Sequence, residues 1–168
     1  MKGKAGSFIV VSGGQTGADR AALNITQKHG MTVEGWCPRG RWAEDGPLAA
    51  HYPLRETDSD DPKVRTEANV RLADATLVLT LGGIDDGTAL TIELADAVDR
   101  PCLVVDLRQA DALENAVRWL ADVCPPRLNI AGLRESNAPG LQQAAQRFLD
   151  DLFRHVGVDD DLDQAVRR

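Results

Sequence analysis

Two glycine-rich segments of the 168-residue chain have the residue types that could hold a small anion. Residues 12–20 follow the short apolar run 8–11, and residues 82–88 follow the apolar run 75–81. Glycine lets the backbone turn sharply and approach a ligand, and the N–H groups that open a following helix favour negative charge. The candidate contacts in these loops are Gly13, Gly14, Gln15, Thr16, Gly17, Arg20, Gly82, Gly83, Gly87 and Thr88.

A third polar segment, residues 131–137, also follows an apolar run and adds Arg134 and Ser136 as candidate contacts. A solvated loop with a helix cap explains that segment equally well. The first glycine loop lacks the Lys-Ser/Thr pair of a P-loop, and either glycine loop alone also fits a tight turn between a strand and a helix. The presence of both loops together favours a phosphate-like ligand.

The long irregular segment 37–61 and the residue before it supply an aromatic ring and further cations. Trp36 could stack on a planar ring such as a pterin or a purine, or it could fill a gap in the core at a strand end. Arg39 could meet a phosphate. Cys37 has no His or Cys companions, so we predict a buried thiol there and no tightly bound metal.

Alternating strand-like and helix-like segments predict how these loops are positioned. Such alternation is typical of βαβ units, so we expect an α/β fold: one doubly wound, Rossmann-like, three-layer domain with a parallel sheet of about five strands in the order 2-1-3-4-5. The first and third strands would then be neighbours, and both glycine loops, with Arg20, Arg39, Arg65 and Arg134, would converge on one crevice. The predicted strands are 8–11, 31–36, 75–81, 101–106 and 128–132, and the predicted helices are 18–29, 64–72, 88–98, 110–123 and 139–156.

Composition narrows the class of partner. The chain has 26 acidic and 19 basic side chains and a formal charge of −7, which argues against a nucleic-acid binder but leaves room for a small anionic ligand. Three cysteines without a CxxC pair indicate reduced thiols and a cytoplasmic location. We expect no membrane association, one ligand-binding domain over residues 1–157, and a frayed acidic tail over 158–168.

The motifs taken together resemble the family called "putative molybdenum carrier" (molybdenum cofactor carrier-like), over roughly residues 8–153. This family is placed in a Rossmann-like superfamily with the LOG enzymes, which cleave the N-glycosidic bond of nucleoside monophosphates. The resemblance implies a nucleotide- or phosphate-type site, a link to molybdenum cofactor, and assembly into a dimer or tetramer. The matching segments are 9–20, 35–41, 43–47, 52–54, 65–70, 87–88, 129–132 and 134–136.

Compared with the LOG pattern, the chain has the catalytic arginine but lacks an acid at the expected catalytic position. Arg65 falls at the position of the LOG catalytic arginine, but Leu90 and Thr91 stand where the LOG catalytic acid is expected. Glu93 follows one turn later. Glycosidic cleavage needs a carboxylate close to the ribose, because positive charge develops there in the transition state.

The sequence therefore predicts a protein that binds a phosphorylated ring compound, a molybdopterin-type cofactor or a nucleotide, without LOG-type catalysis. An N-glycosidase that uses Arg65 and Glu93 is the alternative, and Asp85 or Asp86 could also supply the acid. A sensor of a nucleotide-derived ligand is a third possibility.

Overall fold

The structure is a computed structural model and describes residues 7–157. Within that range the chain forms seven strands and five α-helices, and three of the strands follow one another between α1 and α2. The strands are β1 (Ile9–Val11), β2 (Val33–Glu34), β3 (Trp36–Cys37), β4 (Arg55–Glu56), β5 (Ala75–Thr80), β6 (Cys102–Asp106) and β7 (Arg127–Gly132). The helices are α1 (Ala18–Lys28), α2 (Pro62–Leu72), α3 (Asp86–Ala97), α4 (Ala112–Val123) and α5 (Leu141–His155).

Five strands form one parallel sheet in the order β2-β1-β7-β5-β6. On one side of the sheet α5 packs against α1 and α4, and on the other α2 packs against α3. The expected α/β, Rossmann-like fold with a five-stranded parallel sheet is confirmed. The predicted tail, residues 158–168, lies outside the described residues.

The predicted strand order 2-1-3-4-5 is wrong, because the last strand of the chain enters the middle of the sheet. β7 pairs with β1 through Val10 and Leu128 and with β5 through Leu77 and Ile130. The central residues of β7 are buried on both faces, which suits an interior strand. β6 takes the edge instead, where Val104 is 45% exposed.

The predicted second strand, 31–36, divides into two short strands at Gly35. Gly35 has φ +140°, and a Cβ there would overlap the carbonyl oxygen of Ser12. The chain turns away from the main sheet at this point, so β3 pairs with β4 in a separate two-stranded parallel sheet. The segment 37–61 is thus partly ordered by pairing.

One arginine holds the middle of this long segment in place. The guanidinium of Arg41 donates hydrogen bonds to four backbone carbonyls, so it replaces the pairing that a regular element would provide. The accepting carbonyls belong to Leu48, Ala49, Tyr52 and Leu54.

Two helices next to the sheet begin earlier than predicted, because each has an aspartate cap. Asp61 accepts a hydrogen bond from the Lys63 N–H, and α2 starts at Pro62, a residue suited to a first turn. Asp85 accepts from the Thr88 N–H at 2.8 Å, so α3 starts at Asp86. Among residues 7–157 no helix is both long enough and apolar enough to cross a membrane.

Candidate functional site

The backbone N–H groups of the first glycine loop donate hydrogen bonds to acceptors in the protein itself. The donors at positions 14 to 18 all have protein acceptors, so side chains rather than these amides are available to a ligand. The acceptors are Ser12 Oγ at 3.3 Å, Asp19 Oδ2 at 3.3 Å, Gln15 Oε1 at 3.0 Å, Gln142 Oε1 at 3.0 Å and the Leu133 carbonyl at 3.1 Å.

Residues 132–137 separate the two glycine loops, because β7 lies between β1 and β5. This segment contacts both loops: the Glu135 N–H donates to Thr16 Oγ1 at 3.1 Å, and Asn137 Nδ2 donates to Asp85 Oδ2 at 2.7 Å. The three polar segments therefore meet at one edge of the sheet, but the two glycine loops are not direct neighbours.

A cleft of about 570 Å³ opens at this edge, between α2, α3 and the loops that follow β1 and β7. Gly13, Gln15, Arg65, Gly87, Glu93 and Arg134 line the cleft among the predicted site residues. The lining does not include Gly14, Thr16, Gly17, Arg20, Trp36, Arg39, Gly82, Gly83, Thr88 or Ser136. Four buried residues that the sequence analysis did not propose as contacts also line the cleft: Asp19, Asn69, Thr91 and Asn129.

Arg65 and Asp19 form a buried ion pair in the cleft wall. Arg65 Nη1 lies 2.7 Å from Asp19 Oδ2, and the side chains are 10% and 8% exposed. Gly13 makes room for this pair, because a Cβ at that position would overlap the Arg65 guanidinium. Arg65 Nε is buried without a hydrogen-bond partner among the described residues, so one donor of this guanidinium is left over.

Gln15 presents a second buried donor without a partner. Its Oε1 accepts from the Thr16 N–H at 3.0 Å and from the Glu44 N–H at 2.9 Å. Two N–H donors identify this end of the amide as the oxygen. Gln15 Nε2 therefore stays as the other end, buried and with no acceptor in residues 7–157.

Glu44 binds two of the predicted contacts that lie outside the cleft lining, Thr16 and Ser136. Its carboxylate accepts from Thr16 Oγ1, from the Ser136 N–H at 3.1 Å and from Ser136 Oγ at 2.6 Å. Burial alone would raise the pKa of Glu44, but the hydrogen bonds from Ser136 and Thr16 bring it below its usual value. Arg134 Nη1 stands 3.9 Å from the same carboxylate.

The remaining predicted cation and ring contacts lie elsewhere. Arg20 pairs with Asp45 at 2.9 Å, and exposed Arg39 donates to the Asp58 carbonyl at 3.0 Å. Trp36 is half-buried on β3, and the Arg55 guanidinium lies over its ring, 5.9 Å from the ring centroid. Of the four arginines expected to converge, the cleft receives Arg65 and Arg134.

The two halves of the second glycine loop face different depressions, since Gly87 lines the cleft and the first residues of the loop do not. Gly82 and Gly83 line a hollow of about 440 Å³ together with Ile84 and Pro139. The start of α3 is already occupied, since Asp85 accepts from the Thr88 N–H. Burial alone would raise the pKa of Asp85, but the hydrogen bonds from Thr88 and Asn137 outweigh burial and bring this pKa below its usual value.

The two predicted catalytic side chains reach the same cleft. Arg65 enters it from α2, and exposed Glu93 enters it from α3. Glu93 follows Leu90 by three residues, and residues at that spacing share one helix face. The early start of α3 at Asp86 also places Asp86 on the cleft wall.

No group of three or more His, Cys, Asp or Glu side chains in the described part of the chain could hold a metal ion. Cys37 is buried, and burial raises the pKa of its thiol. The cleft instead offers buried hydrogen-bond donors, which suit oxygen-rich organic or oxyanionic groups.

An open parallel sheet with a cleft at the carboxyl ends of its strands defines a Rossmann-like fold, in which ligands commonly bind at this edge. The chain belongs to the circularly permutated YpsA SLOG family, whose family model matches residues 10–153.

A solved structure supports the same assignment. It is the crystal structure of a protein from Syntrophus aciditrophicus SB named "Putative molybdenum carrier protein", with 38% sequence identity and a TM-score of 0.81. The similarity covers 88% of this chain and 95% of that chain. No curated protein matches the sequence. The resemblance to the molybdenum carrier family, based on the motifs, is therefore confirmed.

Proposed function

We propose that the chain binds a phosphorylated ring compound, either a molybdopterin-type cofactor or a nucleotide, in the cleft between α2 and α3. The observation that carries this proposal is a pair of buried donors that line the cleft, Arg65 Nε and Gln15 Nε2. Neither has a partner among residues 7–157, and an unsatisfied buried donor costs about 1–3 kcal/mol. An oxygen-rich anionic group would supply both acceptors.

The other walls of the cleft suit the ring. Ala89, Leu90 and Ala131 provide apolar surface, and the buried side chains of Thr91 and Asn129 provide polar groups beside it. Ligand sites commonly combine mainly apolar walls with a few placed polar groups. The name of the similar protein from Syntrophus aciditrophicus favours a molybdenum-bearing ligand. A molybdopterin-type cofactor would be cargo here, with its phosphate held by Arg65 and Gln15.

We expect Gln15→Met to weaken binding about tenfold, because it removes one donor worth roughly 1.4 kcal/mol. Isothermal titration with molybdopterin cofactor and with AMP, in separate arms, measures the effect and distinguishes the two ligands. The matched control is Arg39→Met, which removes an exposed cation outside the cleft and should leave affinity unchanged. Absence of binding heat from folded protein with both compounds would contradict the proposed function.

One observation favours a second candidate, N-glycosidic hydrolysis: Arg65 and Glu93 line the same cleft. In this reaction the bond between ribose and base breaks, water adds at the ribose carbon, and the base leaves with a proton. The Glu93 carboxylate would stabilise the positive charge that develops on the ribose. Arg65 would hold the phosphate.

If the chain hydrolyses AMP, we expect Glu93→Gln to lower the rate by about 100-fold or more, because the charge opposite the ribose is lost. Chromatography of released adenine measures the rate. Glu67→Gln is the control, since Glu67 is an exposed carboxylate on α2 paired with Arg71 outside the cleft. Adenine release that persists in Arg65→Ala would refute these roles. If the wild-type protein releases no adenine, hydrolysis is excluded as its reaction with AMP and ligand binding is the one proposed function that remains.

A further inference from the structure

A short strap, residues 42–48, lies across the first glycine loop. It follows Arg41, and the Leu48 N–H donates to the Arg41 carbonyl at 2.8 Å. Gly14 makes the close approach possible, since a Cβ there would stand 2.5 Å from Leu48 Cδ1. The strap therefore rests directly on the loop that carries Gln15.

Glu44 connects the strap to the site in two ways. Its carboxylate accepts from Thr16 in the first glycine loop and from Ser136 in the segment after β7. Its backbone N–H donates to Gln15 Oε1 at 2.9 Å. The side chain thus fastens the strap, and the backbone of the same residue holds the amide that faces the cleft.

Holding this amide matters because its two ends have opposite hydrogen-bonding character. The torsion at the end of a glutamine side chain is broad and roughly two-fold, so rotation exchanges the oxygen and the nitrogen. Without the Glu44 N–H, Gln15 Oε1 keeps one of its two donors, that of Thr16. A rotated amide would present an acceptor to the oxygen-rich group that the cleft is proposed to bind.

We propose that Glu44 is a positioning residue for the ligand site: its carboxylate fixes the strap to Thr16 and Ser136, so that its N–H keeps Gln15 Nε2 directed into the cleft. The effect of Glu44 on ligand binding rests on the proposed function, whereas its effect on the orientation of the Gln15 amide is independent of that function.

The first experiment needs no ligand. We expect the side-chain NH₂ signals of Gln15, identified by their loss in Gln15→Ala, to show a rigid amide in the wild-type protein and a mobile one in Glu44→Ala. The Asn69 amide, bonded to the Trp36 backbone, serves as internal reference and should stay rigid. Asp45→Asn loses a charge on the same strap without touching Gln15 and should leave its amide rigid.

The outcomes of this experiment are decisive. A Gln15 amide that stays rigid in Glu44→Ala overturns the proposal, and so does loosening that extends to Asn69. Glu44→Gln retains an acceptor oxygen for Thr16 and Ser136, so we expect it to restore most of the rigidity. If Glu44→Ala does not fold, Glu44→Lys takes its place in the amide measurement. We then expect a mobile Gln15 amide in Glu44→Lys and a rigid one in Glu44→Gln and in Asp45→Asn.

The second experiment is a double-mutant cycle with AMP or molybdopterin cofactor, whichever binds the wild-type protein. If Glu44 acts through Gln15, Glu44→Ala should weaken binding about tenfold alone and no further in a Gln15→Ala background. Losses that multiply would overturn the proposal. If neither compound binds wild-type protein, the proposed function fails, and the amide signals alone decide the role of Glu44.

Discussion

Arg65→Met is expected to lower the free energy of unfolding by about 3–5 kcal/mol, because it leaves the buried Asp19 carboxylate without its cationic partner. Urea denaturation monitored by circular dichroism measures the loss. Arg71→Met is the matched control on the same helix: its exposed pair with Glu67 should be worth less than about 1 kcal/mol.

A double variant separates the lone charge from other effects of the substitution. Asp19→Asn combined with Arg65→Met removes both charges and keeps an oxygen that can accept from the Gln15 N–H. We expect it to recover much of the lost stability, since replacing a buried pair costs far less than breaking one. An Arg65→Met protein as stable as wild type would contradict the buried-pair interpretation.

Gly17→Ala is expected to cost more than about 4 kcal/mol or to prevent folding, because backbone geometry and space both exclude a side chain. Gly17 has φ 81° and ψ −128°, and a Cβ would overlap the Leu133 carbonyl and stand 2.9 Å from Arg134 Cα. These neighbours are backbone atoms of the segment after β7, so they cannot move aside as a flexible side chain could.

Gly40→Ala provides the comparison for this prediction. Gly40 also has φ 81°, but nothing lies within 4 Å of a Cβ placed there. Its left-handed conformation alone should cost alanine about 1–2 kcal/mol. Equal losses of unfolding free energy in the two variants, measured by urea denaturation, would show that contact with the segment after β7 is unimportant.

The sequence predicts the fold class well because apolar runs and helical spacing are local properties. The strand order depends instead on which strand is buried on both faces. The runs that form β6 and β7 are both apolar, and only packing distinguishes the edge strand with exposed Val104 from the central strand with buried Ile130.

The candidate site likewise has features that local motifs predict and others that depend on residues distant in the sequence. The motif resemblance points to Arg65, but its partner Asp19 lies 46 residues away and resembles an ordinary charge in the first turn of a helix. The glycine loop looks like an anion cradle until its acceptors are known, and Gln142, which occupies the Gly17 N–H, is 125 residues distant. A cytoplasmic location, the absence of nucleic-acid partners and assembly into a dimer or tetramer stay predictions.

The central position of β7 also governs the order in which the chain can fold. β1 and β2 are made first and β5 and β6 later, but neither pair hydrogen-bonds to the other without the strand between them. That strand, Arg127–Gly132, is synthesised after all the others. Both groups must therefore wait for a late segment, and sequence-distant pairing of this kind slows folding and prolongs the exposure of unpaired strand edges. Completion of the sheet and assembly of the cleft, whose floor includes Asn129, are thus one event.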